Sequence, residues 1–261
     1  MTTAFGISLL ALGFTGAFVS GMVGVGGAII MIPLLYYVPP LLGLGTLGIR
    51  EVTGVTMVQV FVATASAVMV HGRSGTVHRE LALVGGGAMA MGSLSGAIAS
   101  RYVEGWVLLL VFAIMATAAV PLMFLPVAAL AREAAASEVA VSRLRVVLVT
   151  GGVGVLAGLI GAGGAFLLVP LFIAVLGIPV RVSIGSSLAV TAIASVAGLS
   201  GKLVTAQVPL WPSVFVLAGS VVGAQLGARV SHLASPRVLR MLLAVVIALS
   251  AIRVWINLVA G

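Results

Sequence analysis

The sequence predicts an all-α integral membrane protein. Ten hydrophobic segments form two inverted-topology repeats of five, with short glycine-led segments in second and seventh place. Three observations predict this. The chain is 62% hydrophobic and 7% charged, whereas a soluble domain needs about 25% charged residues to cover its surface. Apolar runs near the bilayer-crossing length of about 20 residues follow one another along the chain. The stretch Gly21–Leu35, GMVGVGGAIIMIPLL, returns without a gap at Gly158–Phe172, GLIGAGGAFLLVPLF.

The first segment is Phe5–Met22. The second, Ala28–Val38, reaches only about 16 Å at 1.5 Å per residue and cannot cross a bilayer as a straight helix. Val52–Val70, Leu81–Ser100 and Gly105–Pro126 complete residues 1–127 as the first repeat. Residues 128–143 form a polar linker on the cytoplasmic side, carrying Arg132, Glu133 and Glu138. Residues 144–261 repeat the order: Leu144–Ile160, the short Ala165–Leu176, Ser183–Ser200, Pro209–Ala228 and Pro236–Ile256. The likeness between halves extends beyond the glycine motif. Arg50-x3-Gly54-x-Thr56-Met57 matches Arg181-x3-Gly185-x-Ser187-Leu188, and Gly92-x3-Gly96-Ala97 matches Gly223-x3-Gly227-Ala228.

An odd number of crossings per half turns the halves over with respect to each other, as in many secondary carriers. The alternative counts each glycine-linked pair as one unit, giving eight crossings and parallel halves. Charge separates the two. With ten crossings one side holds Arg73, Arg79, Arg132, Arg143, Arg145, Arg181, Arg229, Arg237 and Arg240, and the other Arg50, Arg101, Lys202 and Arg253. Basic residues favour the cytoplasmic side, so ten crossings with both termini outside fit best. Trp106, Trp211, Trp255, Tyr36, Tyr37 and Tyr102 then all fall on the outer side. The N-terminus has no basic region, and no cleaved signal peptide is expected. The +8 charge belongs to topology-setting loops and calls for no nucleic-acid partner. The absence of cysteine excludes thiol chemistry and thiolate metal sites. His71, His78 and His232 lack metal-ligand spacing and read as surface loop residues, so no cofactor is expected.

The glycine motifs carry the functional signal. Gly disfavours a helix by about 1 kcal/mol relative to Ala. Broken segments at matching places in two halves point to a carrier's binding site. A short helix entering from one face leaves its N-terminus within the membrane, where irregular backbone needs protein or water around it. Gly24, Gly26, Gly27 and Ala28, with Gly161, Gly163, Gly164 and Ala165, would turn unshielded N–H groups and the positive ends of two helix dipoles toward an anion. Gly92/Gly96 and Gly223/Gly227 are instead expected to let helices pack closely.

Hydroxyl and amide groups add neutral donors. Ser186, Ser187 and Thr56 either contact anion oxygens or bond their own helix carbonyls, and the sequence leaves both open. For Thr191, Thr53 and Gln59 the helix-bonding reading leads, although Gln59 has two donors and few other partners. Arg50 and Arg181 begin corresponding segments. They are either an outer and an inner anion-attracting gate or interface anchors, with anchoring the leading reading. Glu51 is an edge carboxylate, solvated, paired with Arg50 or proton-carrying.

The paired G-x-G-G-x5-P motifs, the Gly185-Ser186-Ser187-Leu188 stretch after Ile178-Pro179, and Gly201-Lys202 resemble the sulfite exporter TauE/SafE family over essentially the whole chain. In the first half Val55 stands where Ser186 stands in the second. The resemblance implies a bacterial or archaeal inner-membrane carrier of small anions such as sulfite or organosulfonates. The expected function is outward transport of such an oxyanion by alternating access. The expected partners are a small anion and the lipid bilayer, with room for a coupling ion such as a proton and for a homo-oligomer. Rival readings are carriers of other anions, a cation carrier, an intramembrane enzyme and a non-transporting scaffold. An enzyme lacks a base to activate Ser186 or Ser187, a cation carrier lacks intramembrane acids, and no Walker-type motif is present.

Overall fold

The computed structural model describes residues 3–23, 27–71, 77–124, 142–231 and 236–260. Within them the chain forms ten helices: α1 (Thr3–Val23), α2 (Ala28–Leu41), α3 (Ile49–His71), α4 (Gly86–Ala99), α5 (Gly105–Phe124), α6 (Arg143–Ile160), α7 (Ala165–Ala174), α8 (Val180–Val204), α9 (Leu210–Ser231) and α10 (Pro236–Ala260). A π-helical turn, Leu81–Gly85, leads into α4. The fold is the expected all-α membrane architecture, with every segment within a few residues of its expected place. Helices α1, α6, α8 and α9, and α4 together with its π-helical turn (Leu81–Ala99), are long and apolar enough to cross a membrane. Helices α2 and α7, with 14 and 10 residues, extend only about 21 and 15 Å.

Local chemistry sets these boundaries. Helix α6 stops at Gly161, which has φ 68° and ψ 21°, the left-handed C-terminal conformation that glycine adopts without Cβ strain. The Ala162 N–H closes back on the Ala157 carbonyl at 3.0 Å. Helix α8 begins after Pro179, which is extended and accepts from the Ser183 N–H at 2.8 Å.

Apolar side chains lie both inside and outside: Met31, Leu35, Phe112 and Phe172 are buried in the core. Met91, Leu148, Ile252 and Val259 are exposed. Thr53, Thr56, Gln59, Ser93, Ser100, Thr150 and Thr191 are almost completely buried. Lipid outside accounts for the exposed apolar side chains, while Thr56 and Thr150 bond carbonyls of their own helix and Thr53 and Ser100 bond Lys202 across helices.

Helix α1 packs along α9, and α6 along α4. Likewise α3 packs on α9 as α8 does on α4, and α2 on α10 as α7 does on α5. Helices α3 and α8 meet each other, as do α5 and α10. Each contact thus has a counterpart when the first five helices exchange with the last five. The closest packing joins helices of opposite repeats. A Cβ on Gly96 would overlap the Val155 carbonyl of α6, and one on Gly158 would overlap the Ser93 carbonyl of α4. In the other seam Gly219, Gly223 and Gly227 lie on the Leu10, Phe14 and Phe18 carbonyls of α1. Gly92/Gly96 and Gly223/Gly227 are therefore packing glycines, as expected. They bring backbones closer than any side chain permits.

Candidate functional site

The short helices begin at two left-handed glycines, Gly27 with φ 77° and Gly164 with φ 72°. No side chain caps either end. The Gly27 carbonyl accepts from the Ile30 and Met31 N–H groups, and the Gly164 carbonyl from those of Leu167 and Leu168. The amides ahead of these have no acceptor within their own helix. Gly27, Ala28, Gly161, Gly163, Gly164 and Ala165 are all buried. Gly24 and Gly26 lie outside the described residues.

Both turns reach the same level of α3. A Cβ on Gly27 would stand 3.2 Å from Gln59 Nε2 and 2.8 Å from Ser20 Oγ. A Cβ on Gly163 would overlap Val60 and stand 3.0 Å from Thr191 Cγ2. Gln59 and Val60 are consecutive, so the two glycine turns flank one turn of α3, with α8 contributing Thr191.

The polar groups at this place are not self-satisfied. Gln59 is 1% exposed and Thr191 is fully buried. Neither atom of the Gln59 amide, nor the Thr191 hydroxyl, has a hydrogen-bond partner. An unmet buried polar group costs about 1–3 kcal/mol, and these unpaired groups lie beside two uncapped N-termini. For Gln59 and Thr191 the helix-bonding expectation therefore fails. Position relative to the glycine turns is what distinguishes Thr191 from the other hydroxyls, and the sequence does not contain it.

The remaining expected site residues have internal partners. Thr56 Oγ1 donates to the Val52 and Thr53 carbonyls at 2.9 and 3.1 Å, and Ser187 Oγ to the Ile184 carbonyl at 2.9 Å. These equivalents in the two repeats both bond their own helix. Ser186 Oγ accepts from the His78 N–H at 3.0 Å, tying the start of α8 to the segment before α4. His78 is half-buried and its Nδ1 accepts from the Leu81 N–H at 3.1 Å, so it caps a helix start rather than lying free on the surface. His71 and His232 fall where side chains are not described. Arg50 is exposed and donates to the Val103 carbonyl at 2.7 Å. Glu51 accepts from the Gly48 N–H at 2.8 Å, capping α3. Arg181 lies in the first turn of α8, and its side chain is outside the described residues.

Sequence reasoning missed Lys202. In the sequence it reads as a loop charge, two residues beyond a segment that ends at Ser200. Instead α8 runs to Val204, and Lys202 is fully buried. Its Nζ donates to Thr53 Oγ1 at 3.0 Å, Ser100 Oγ at 2.7 Å, the Leu159 carbonyl at 3.1 Å and Gln207 Oε1 at 3.1 Å. Gln207 Nε2 in turn donates to the Ala97 carbonyl at 3.0 Å and Thr205 Oγ1 at 2.7 Å. Among the described residues no group of His, Asp or Glu side chains could hold a metal.

Comparison with known proteins agrees with this architecture. The family model described as sulfite exporter TauE/SafE matches residues 9–254. The chain is 28% identical over 225 residues to the probable membrane transporter protein YdhB of Bacillus subtilis (strain 168), covering 84% of this chain and 88% of that protein. No solved structure matches the chain. With the match running from α1 into α10, this chain belongs to the sulfite exporter TauE/SafE family and is a multi-pass membrane transporter of that type.

Proposed function

We propose that this transporter carries a small oxyanion outward, sulfite or a small organosulfonate of the sulfoacetate kind, and holds it at the paired N-termini of α2 and α7. The observation that carries the reading is the unpartnered Gln59 amide beside Gly27, together with the unpartnered hydroxyl of Thr191, whose methyl group lies against Gly163. Helix N-termini favour negative charge, and neutral side-chain donors can meet sulfonate oxygens without burying a cation beside them. A negative cell interior favours anion exit by about 2.3 kcal/mol per charge per 100 mV. The membrane is the inner membrane of a bacterial or archaeal cell, with both chain termini outside.

Alternating access supplies the mechanism. The two repeats, residues 1–127 and 144–261, act as related halves, but their closest seams cross between them. The rigid units are therefore glycine-bonded pairs, α1 with α9 and α4 with α6, and the movement takes place around α2, α7 and α3. Proteoliposomes test this. Labelled sulfite or sulfoacetate should move faster under an inside-negative potential, and Gln59→Leu should slow it at least tenfold. Absence of anion flux under any potential would end the proposal.

A further inference from the structure

Lys202 is a buried lysine with no carboxylate partner among the described residues. Four oxygens surround its ammonium, from α3, the ends of α4 and α6, and the connection between α8 and α9, and all four belong to neutral groups. The only ion pair among the described residues is Arg143 with Glu80, exposed and elsewhere. Glu51, two residues before Thr53, is turned to the Gly48 N–H. Lysine is almost never fully buried unless paired, and an isolated buried charge is costly. Neutral donors would satisfy the same hydroxyls and carbonyls without that cost. The retained charge therefore calls for a negative partner that is not part of the protein.

The surroundings say which partner. Leu159, whose carbonyl touches Nζ, is two residues before the Gly161 turn that leads to the α7 N-terminus. Thr53, which holds Nζ through its hydroxyl, presses its carbonyl against Gly161. Along α3, Thr53 lies about 9 Å from Gln59 and about 4.5 Å from Arg50, at 1.5 Å per residue. Exposed Arg50, buried Lys202 and the glycine cradle thus follow one another from the surface inward.

We propose that Lys202 is a second anion site on the transport route, where the ammonium takes the anion between the Arg50 end of the bundle and the paired helix termini. This rests on the anion-carrier reading above and adds a station to it. The ligand class is a small singly or doubly charged oxyanion, which replaces one or more of the four neutral acceptors as it passes.

The full-length protein is tested with sulfite and sulfoacetate as probes and chloride as control. Anion-dependent rise in melting temperature gives affinity, and proteoliposome flux gives transport. Lys202→Met should weaken affinity and flux at least tenfold; because it leaves buried acceptors without a donor, its anion-free melting temperature should fall, and Lys202→Gln, which keeps two donors, should lose the anion to the same extent with a smaller fall. Lys202→Arg should stay within threefold. Gln207→Glu places a carboxylate on the ammonium and should weaken the anion at least tenfold with Lys202 intact. Wild-type affinity and flux in Lys202→Met, or in Gln207→Glu, would overturn this proposal and leave the carrier reading standing. So would loss of folded protein in both variants, which would make Lys202 a structural cap. A wild type that neither binds nor moves any of these anions would overturn the carrier reading and this site with it.

Discussion

Two groups of glycines in this molecule have different environments. In the α1–α9 and α4–α6 seams, glycines such as Gly96, Gly158 and Gly223 lie within helices and face backbone carbonyls of the neighbouring helix. In the turns before α2 and α7, Gly27, Gly163 and Gly164 have positive φ and face the side chains of Gln59, Val60, Thr191 and Met89. A seam glycine excludes a side chain because a rigid main chain occupies the space. A turn glycine exposes amides in a place lined by side chains, two of them with unmet hydrogen bonds. Gly161, in the same turn as Gly163, meets the Thr53 carbonyl instead, so the side-chain lining belongs to Gly27, Gly163 and Gly164.

Substitution can break that distinction, and the largest effect should come from the seam. Gly158→Val drives a side chain into the Ser93 carbonyl and should cost about 3 kcal/mol. Loss of the monodisperse peak in size-exclusion chromatography would report it, and anion should restore nothing. Gln59→Leu should do the opposite. It removes an amide with no internal partner, so the anion-free melting temperature should hold or rise. Anion affinity should fall about tenfold, or about 1.4 kcal/mol. Thr191→Val keeps shape and loses one hydroxyl, worth about 1 kcal/mol, and should weaken the anion about fivefold in the same thermal titration. Thr56→Val sharpens the comparison from the quiet side. Its hydroxyl is already spent on the Val52 carbonyl, so affinity should change less than twofold.

Helix positions were legible because spanning length and the duplicated glycine motif are one-dimensional signals. The boundary at Gly161 and the short α7 follow directly from glycine and proline placement. Hydroxyl partners were not legible. Thr56, Ser187 and Thr191 are alike in sequence, yet the first two bond carbonyls of their own helix and Thr191 has no partner. Lys202 was misplaced for a related reason. A charge near the end of an apolar run reads as a loop residue until the ends of α4 and α6 are seen to close around it. The repeat suggests two separate halves. The carbonyl contacts of Gly96 and Gly223 reveal that the halves interlock, because nothing in a linear motif says which helix a small face meets.

The α1–α9 seam also has a consequence for biosynthesis. Ser220 of α9 donates to the Gly13 carbonyl of α1 across 207 residues of chain. At a synthesis rate of about 5–20 residues per second, α1 waits about 10–40 s in the bilayer before its partner leaves the ribosome. Its own length and apolarity, sufficient for insertion alone, let it survive that interval. Crosslinking from position 14 in ribosome-bound chains of increasing length would time the pairing, which should begin only once α9 has emerged. Until then α1 is a lodger in the lipid, and α9 must reach back past seven intervening helices to claim it.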